Sequence, residues 1–508
     1  MDLPESPLDR QLSTGVPALD DILHGGLTAD RLYLVEGDPG TGKTTLAIQF
    51  LLEGIKRGES GLYVTLSETK HELEGVARSH GWSLDGIEIH ELVDPTDSVE
   101  SQAQYTMFEP SEIELGSTIR SVLDKVEALK PSRVVFDSLS EMRLLSQGPL
   151  RYRRQVLSLK QFFVGRGCTT LLLDDHASPE QDQQLQSIAH GVIRLEQLLS
   201  DYGSVRRRLR VIKHRGCDFI GGAHDIRLVR GGMQVFPRTS LEYESGYATG
   251  IQLSSGNVEL DNLLGGGLLS GSSALLLGPA GVGKSSTATQ IAVAAAERGE
   301  RAVFFEFEES HHAMMTRSRG LGFDLQKHID AGLIEVQHLI PGEVTPSEFA
   351  SRVREAVKPD QQGRQVSVVL IDSLNGYLNS MPHEKFLTIQ LHDLLQYLGQ
   401  RGIVTLVIAA QHGMLGSTMA TPVDTSYLAD TVLLFRYFEA AGEIRQAISA
   451  VKKRSGRHER TIREFRLCDR GLVIGEPLRE FRGVLAGTPV FTGDQDNLLR
   501  KKGLETPK

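Results

Sequence analysis

The sequence predicts an α/β protein made of two tandem domains, each a mainly parallel sheet covered by helices. Three observations lead to this fold class. The chain repeats itself at an interval of 241 residues, each copy carries a glycine-rich phosphate-loop motif, and short apolar runs alternate with longer segments of helical character. Because the apolar runs lack strict alternation of apolar and polar residues, we expect strands buried on both faces, as in a parallel sheet.

The repeat is visible at its two beginnings. The segment STGVPALDDILHGGL begins at Ser13, and SSGNVELDNLLGGGL begins at Ser254. A period this long indicates duplicated domains, since the units of solenoid proteins run to about 50 residues or fewer. We therefore expect a first phosphate-loop domain over residues 1–245, a second over residues 246–490, and a mobile charged tail over residues 491–508.

The composition is that of a soluble globular protein. A formal net charge of −10 gives no electrostatic attraction to nucleic acid or to an anionic membrane. The three cysteines form no CxxC pair, and no apolar run approaches the ~20 residues that span a bilayer. We expect a cytoplasmic protein that binds no membrane and does not favour nucleic acid.

Two segments satisfy the phosphate-loop pattern GxxxxGK[ST], GDPGTGKT at 37–44 and GPAGVGKS at 278–285. In such a loop, backbone N–H groups at a helix N-terminus surround phosphate oxygens, and Lys43 and Lys284 would reach the β- and γ-phosphates of ATP. The residues expected to bind nucleotide are Gly37, Asp38, Pro39, Gly40, Thr41, Gly42, Lys43, Thr44, Thr45, Gly278, Pro279, Ala280, Gly281, Val282, Gly283, Lys284, Ser285 and Ser286.

Each copy also offers oxygen ligands for Mg²⁺. The last loop residues, Thr44 and Ser285, supply hydroxyls, and the apolar runs RVVFD and VVLID end in Asp137 and Asp372. A carboxylate at a strand tip beside a phosphate loop typically holds the Mg²⁺ shell, directly or through water. These four residues are the predicted metal ligands.

Further carboxylates follow another apolar strand in each copy. Glu308 and Glu309 end AVFFEFEES, whereas GLYVTLSET offers Glu68, preceded by Ser67. A carboxylate at this sheet edge can polarise an attacking water or hydroxyl near the γ-phosphate, which makes these glutamates the catalytic candidates. The alternative is a solvated strand end without a catalytic role.

A Lys-x-Arg triplet recurs at the end of a late strand in both copies, as Lys213 with Arg215 and as Lys452 with Arg454. Spacing of two places both cations on one face of an extended segment, which suits the phosphates of a neighbouring subunit. Ordinary surface charge is the alternative reading. We read the run VRRRLR, residues 205–210, as a solvated strand edge.

These motifs together resemble the KaiC family of double RecA-like ATPases over roughly residues 10–490. The resemblance rests on TGVPALDDILHGGL, the glutamates at 308 and 309, KHRG and KKRSG, and FRGVLAGTP at 481–489. It implies two tandem RecA-like P-loop domains that assemble into a homohexamer of two stacked rings, with ATP between subunits. The Lys-x-Arg segments would then complete a neighbour's site.

The resemblance also implies chemistry on the protein's own hydroxyls. In the family, an adjacent Ser-Thr pair in the second domain is phosphorylated. Here Ser426 holds the serine position and Tyr427 replaces the threonine, so Ser426 is the predicted phosphoacceptor, with Thr425 and Thr421 as further candidates. The first ring would be a slow ATPase, and the second an autokinase read by signalling partner proteins.

Two other function classes remain open from the sequence. One is a RecA- or helicase-like motor on nucleic acid, against which the acidic charge and the lack of a basic, aromatic loop weigh. The other is an ATP-dependent scaffold ring without kinase activity. Turnover in variants of the candidate glutamates separates enzyme from scaffold.

Overall fold

A computed structural model of the chain describes residues 10–92, 110–146, 148–175, 185–199, 203–238, 250–379, 387–411, 428–440, 442–485 and 490–491. The chain divides into two compact units, Met1–Ser240 and Leu241–Lys508. The predicted domain boundary at 245/246 and all but the first residue of the predicted tail lie outside the described residues. Within the described part, no helix combines the length and apolarity needed to cross a bilayer.

The first unit is built on a nine-stranded sheet in the order β11-β10-β9-β8-β3-β7-β6-β4-β5. Strands β5, β4, β6, β7, β3 and β8 run parallel, and β9 to β11 extend the sheet antiparallel from β8. The small strands β1 and β2 pair separately. The strands are β1 Gln11–Leu12, β2 Leu27–Thr28, β3 Leu32–Gly37, β4 Gly61–Thr65, β5 Ile87–Glu91, β6 Arg133–Asp137, β7 Thr169–Asp174, β8 Gly191–Leu198, β9 Arg206–His214, β10 His224–Val229 and β11 Gly232–Phe236.

Helices connect the parallel strands of the first unit. Their ends carry local signals: α3 begins with a capping box in which Thr69 and Glu72 satisfy each other's backbone N–H groups, and it ends at Gly81 in the left-handed conformation. The helices are α1 Pro17–Ile22, α2 Lys43–Lys56, α3 Lys70–His80, α4 Pro110–Leu129, α5 Leu139–Leu145 and α6 Pro149–Val164.

The second unit repeats this topology. Its sheet has the order β16-β15-β17-β18-β14-β19-β20-β21-β22, with the first six strands parallel and the last three antiparallel. The strands are β12 Gln252–Leu253, β13 Leu268–Leu269, β14 Ser273–Gly278, β15 Arg301–Glu306, β16 Ile334–His338, β17 Val366–Asp372, β18 Val404–Ala410, β19 Thr431–Ala440, β20 Glu443–Lys453, β21 Arg463–Cys468, β22 Gly471–Pro477, β23 Phe481–Arg482 and β24 Val490–Phe491.

The helices of the second unit correspond to those of the first, with short additions. Several begin at a side-chain cap, as at Ser310 and Thr345, whose hydroxyls accept from backbone N–H groups three residues on. The helices are α7 Val258–Leu263, α8 Lys284–Glu297, α9 His311–Gly320, α10 Leu325–Asp330, α11 Pro346–Ala356, α12 Leu374–Asn379 and α13 Leu387–Gln400.

Apolar cores cover both faces of each sheet. Neighbouring residues on one strand, Phe304 and Phe305, are both buried and belong to different cores, because alternate side chains of a strand point to opposite faces. The predicted α/β fold with mainly parallel sheets is confirmed. The antiparallel extension of each sheet was not predicted. Since parallel strands end at one edge, the residues after β3, β4, β6 and β7 converge there, as do those after β14, β15, β17 and β18.

Candidate functional site

The first phosphate loop joins β3 to α2 at the carboxyl edge of the sheet. Gly40 and Gly42 adopt φ angles of 81° and 105°, a conformation that favours glycine. At Gly37, a Cβ atom would lie 2.4 Å from the carbonyl oxygen of Leu195. The Nζ atom of Lys43 donates to the carbonyl oxygens of Gly37 at 2.7 Å and Asp38 at 3.1 Å, so the loop wraps around this ammonium group.

The second phosphate loop, between β14 and α8, has the same geometry. The Nζ atom of Lys284 donates to the carbonyl oxygens of Gly278 at 2.9 Å and Pro279 at 2.7 Å. Burial lowers the pKa of Lys284 to about 8, against the opposing charges of Asp372 and Glu308. The predicted nucleotide-binding residues other than the Lys-x-Arg triplets therefore form two strand-to-helix turns, as expected for phosphate loops.

The predicted Mg²⁺ ligands of the first unit contact each other. Asp137 ends β6, where it is hydrogen bonded to Thr44 and accepts a 2.5 Å hydrogen bond from the hydroxyl of Tyr63. Burial raises the pKa of Asp137, while the Tyr63 hydrogen bond and the charge of Lys43 lower it. A hydroxyl beside a desolvated carboxylate is a donor set that fits a hard cation such as Mg²⁺.

The second unit brings its predicted ligands together in the same way. Asp372 ends β17 and is hydrogen bonded to Ser285, and burial raises its pKa. Among the described residues, no group of three or more His, Cys, Asp or Glu side chains is arranged to hold a metal ion. Each edge thus brings one predicted hydroxyl ligand next to one predicted carboxylate ligand.

Glu68 follows β4 and lies near Asp137, a predicted Mg²⁺ ligand of the first unit. Its backbone N–H donates to the hydroxyl of Thr65, which donates in turn to the carbonyl oxygen of Glu68. Burial, followed by the charge of Asp137, raises the pKa of the Glu68 carboxyl, and its Oε2 atom is buried without a hydrogen-bond partner. A carboxylate with a raised pKa and a free acceptor is suited to receive a proton.

The two glutamates of the second unit are held differently. Glu308 accepts a 2.7 Å hydrogen bond from the hydroxyl of Ser373, the residue after Asp372. Both oxygens of Glu309 are engaged by Arg317, at 3.1 and 2.7 Å, in a fork that also reaches Thr289. The geometry therefore favours Glu308 as the acceptor of a substrate proton, because the Glu309 carboxylate is already neutralised by a guanidinium group.

A third carboxyl group of this site was missed by the sequence analysis. Glu306 is the last residue of β15 and pairs in register with Asp372. It is 1% exposed, and both of its carboxyl oxygens are buried without a hydrogen-bond partner. Burial, then the charges of Asp372 and Glu309, raises its pKa to about 9. The signal in the sequence was a glutamate inside the apolar run AVFFEF, two positions before Glu308.

The Lys-x-Arg triplets lie away from the phosphate loop of their own unit. Lys213 pairs with Val192, which pairs with Leu34, three residues before Gly37. Since a strand rises about 3.3 Å per residue, Lys213 sits roughly 10 Å back from the loop, toward the opposite edge of the sheet. Lys452 occupies the same level in the second unit, opposite Val432.

At that edge, the first triplet contacts the segment that precedes β8, and the second triplet contacts the segment that precedes β19. Lys213 Nζ donates to the carbonyl oxygens of Gln186 and Ala189, and Arg215 donates to that of Ser187. In the second unit, Lys452 donates to the carbonyl oxygen of Ala429 at 2.8 Å, and Arg454 pairs with Asp430 at 3.4 Å. The triplets thus do not join the sites of their own unit.

The predicted phosphoacceptors Thr421, Thr425 and Ser426 lie outside the described residues, as does Tyr427. The description resumes at Leu428, just before the residues that Lys452 and Arg454 contact.

The arginine run of β9 is largely engaged within the first unit. Arg208 pairs with Asp225 and Arg210 with Glu196, while Arg207 Nε donates to the carbonyl oxygen of Gly40 in the phosphate loop. Guanidinium groups held by carboxylates and a carbonyl offer little free positive charge to a nucleic-acid backbone.

Comparison with known proteins gives matches over nearly the whole chain. A family model described as "ATPase: KaiC" matches residues 12–240 and 253–479, once in each unit. Circadian clock protein KaiC3 of Synechocystis sp. is 28% identical over 500 residues, which cover 97% of this chain and 97% of that protein. Circadian clock oscillator protein KaiC of Synechococcus elongatus is 27% identical over 97% of this chain and 94% of its own. Its counterpart in Thermostichus vulcanus is 27% identical, with 98% and 95% covered.

Proposed function

We propose, because this chain belongs to the KaiC family of ATPases, that each of its two units binds ATP and hydrolyses it with Mg²⁺. The observation that carries the proposal is the meeting, in both units, of a phosphate-loop lysine, a loop hydroxyl and a strand-end carboxylate at one edge of the sheet. P-loop enzymes place these groups around the β- and γ-phosphates of the nucleotide.

Within each unit, the roles follow from the chemistry of the groups. Lys43 and Lys284 bind phosphate oxygens together with the backbone N–H groups of the loops. Thr44 with Asp137, and Ser285 with Asp372, hold Mg²⁺, which neutralises charge on the phosphates when it is bound. The role of this chain is mainly positioning and electrostatic stabilisation, because phosphoryl transfer needs little covalent help from the protein.

The catalytic carboxylates orient the attacking group. In the first unit, Glu68 receives the proton of the attacking water, supported by its raised pKa and its free buried oxygen. In the second unit, Glu308 takes this role, and Glu309 positions α9 through its fork with Arg317. Glutamine at position 308 should therefore lower turnover at the second site more than glutamine at position 309.

The assembly we propose is a homohexamer with ATP between subunits. Lys213 and Arg215, like Lys452 and Arg454, lie at the edge opposite their own phosphate loop, so a phosphate that they contact would belong to another subunit. Arg454 is exposed there despite its ion pair. We expect nucleotide to shift the chain from smaller species to hexamers in sedimentation velocity, and alanine at Lys452 and Arg454 to weaken that shift.

The second unit also phosphorylates the protein itself, on Ser426 or on Thr425 or Thr421. Support comes from the family to which the chain belongs and from the second triplet, which contacts Ala429 and Asp430 just beyond this segment of the sequence. Such phosphorylation would be read by signalling partner proteins in the cytoplasm.

Turnover of single-site variants tests the ATPase proposal. Lys43→Ala and Lys284→Ala should each abolish one of two hydrolysing sites, and the double variant should release no phosphate above background. The glutamine exchanges Glu68→Gln, Glu308→Gln and Glu309→Gln then rank the carboxylates. Full turnover in the double lysine variant would contradict the assignment of both sites.

Mass spectrometry tests the kinase proposal separately. Purified protein is incubated with Mg·ATP, and phosphate is mapped across residues 415–431. The expected result is phosphate on Ser426, lost in Lys284→Ala and retained in Lys43→Ala. If no phosphate is found under any nucleotide condition while ATP turnover is intact, the autokinase proposal is wrong and the ATPase proposal stands.

A further inference from the structure

The phosphate-loop lysine of the first unit is ion paired with a carboxylate that none of the roles above uses. The Oδ1 atom of Asp175 lies 2.8 Å from the Nζ atom of Lys43. The side chain of Lys43 is 9% exposed and that of Asp175 is 41% exposed. The ammonium group therefore already holds an anion at the place where the phosphate-loop role requires it to hold phosphate.

Asp175 is fixed in this position from a second side. It directly follows β7, whose last residue, Asp174, pairs with Glu36 next to the phosphate loop. Its other oxygen, Oδ2, accepts a 3.1 Å hydrogen bond from the hydroxyl of Ser140 at the start of α5. The carboxylate thus bridges the phosphate loop and the helix that follows the Mg²⁺ ligand strand.

The second unit offers an internal comparison. In the first sheet, Asp174 is level with Glu36, the residue before Gly37. In the second, Ala409 is level with Leu277, the residue before Gly278. The counterpart of Asp175 is consequently Ala410, which has no side chain that could reach Lys284. The position of Ser140 is taken by Asn375, which instead hydrogen bonds the backbone of Ala410.

We propose that Asp175 is a built-in competitor of nucleotide phosphate at Lys43, which makes the first site bind ATP more weakly than it otherwise would. This inference rests on the proposed function, since it concerns the affinity of the same phosphate loop. Binding of a polyphosphate at Lys43 requires that the Asp175 carboxylate swing away or remain beside a second anion, and both outcomes cost binding free energy. At Lys284 this particular competitor is missing, because the counterpart of Asp175 is Ala410.

The size of the effect follows from the exposure of the pair. Half-exposed ion pairs of this kind contribute up to about 1 kcal/mol of interaction free energy, which corresponds to a roughly fivefold change in a dissociation constant. Neutralising Asp175 should therefore tighten nucleotide binding at the first site about fivefold. The gain should shrink at high salt, because the competing charge is partly exposed.

The test is a reciprocal exchange in the full chain, read by titration with a fluorescent ATP analogue in Mg²⁺ buffer. The Lys284→Ala background leaves only the first site, where Asp175→Asn and Asp175→Ala are compared with the unchanged residue. The Lys43→Ala background leaves only the second site, where Ala410→Asp is compared in the same way. Thermal unfolding of each protein verifies that the fold is retained.

We expect about fivefold tighter binding in Asp175→Asn and Asp175→Ala, and weaker binding by a similar factor in Ala410→Asp. Unchanged or weaker binding in both Asp175 variants, with the analogue still bound in both backgrounds, overturns the inference and leaves the ATPase proposal intact. If the ATP analogue binds in neither background, the proposed ATPase function itself is contradicted.

Discussion

The buried carboxyl of Glu306 should make the second unit less stable as pH rises, and Glu306→Gln should remove this loss. The folded-state pKa of about 9 lies above the ordinary value near 4.3, so between these values only the unfolded chain releases the proton. The group's contribution to stability is fully present below about pH 4.3 and is lost as pH rises toward 9. At pH 7 the loss amounts to at most about 3 to 4 kcal/mol, from about 1.4 kcal/mol per pH unit.

The assay is chemical unfolding in metal-free, nucleotide-free buffer at a series of pH values from 5 to 8.5. The unfolding of the second unit is followed by hydrogen exchange of β15, because a protein with two units need not unfold in one transition. Wild type and Glu306→Gln should have similar stability at pH 5. By pH 8 the glutamine variant should be the more stable, since the same shape is buried without a titrating group.

The matched control is Glu297→Gln, which alters an exposed glutamate at the end of α8. Its stability, measured over the same pH series, shows what the loss of an exposed carboxyl group does. A Glu306→Gln protein whose stability runs parallel to that of wild type between pH 5 and 8.5 would refute the reasoning, because the buried carboxyl would then titrate alike in the folded and unfolded chains.

Three further results are expected. Gly37→Ala should destabilise the first unit by roughly 1–3 kcal/mol in denaturant unfolding, because the new Cβ would lie 2.4 Å from the carbonyl oxygen of Leu195. Unaltered stability would show that the strands can separate there. Tyr63→Phe should raise the Mg²⁺ concentration needed for half-maximal turnover at the first site, since the hydroxyl that favours ionised Asp137 is lost. The same Mg²⁺ dependence as in wild type would contradict this role of Tyr63. With the first site disabled, ATP affinity should fall above about pH 8 as Lys284 loses its proton, and a flat profile to pH 10 would contradict this.

The phosphate loops and the strand-end aspartates could be predicted because their signals are local. A strand, a glycine-rich turn and a helix follow one another within a dozen residues, and the repeat supplied an internal check for each motif. Placing Asp137 and Asp372 beside the phosphate loops required only one more step, the rule that parallel strands of one sheet end at the same edge.

The features that escaped the sequence analysis depend on register between strands distant in the chain. The pairing of Glu306 with Asp372 and the contact of Asp175 with Lys43 arise only once the order β3-β7-β6-β4, and its counterpart in the second sheet, is known. The fork joins Glu309, which precedes α9, to Arg317 eight residues later within that helix, a spacing that ordinary surface charge would also produce.

The strand register also shows that the two sites carry different ionisable side chains at equivalent positions of the same sheet topology. Beside Asp137, the proposed Mg²⁺ ligand, the first unit places Tyr63, a hydrogen-bond donor, and at the level of Glu306 it carries Thr65. In the second unit, Phe304 replaces the tyrosine and a buried carboxyl faces Asp372. A cation at the second site would therefore be drawn by two neighbouring carboxyl groups, one of which must give up a proton to contribute its charge. We therefore expect cation binding at the second site to release a proton from Glu306, a group that the first site replaces with Thr65, so the two sites should respond differently to pH and to Mg²⁺ although their phosphate loops are built alike.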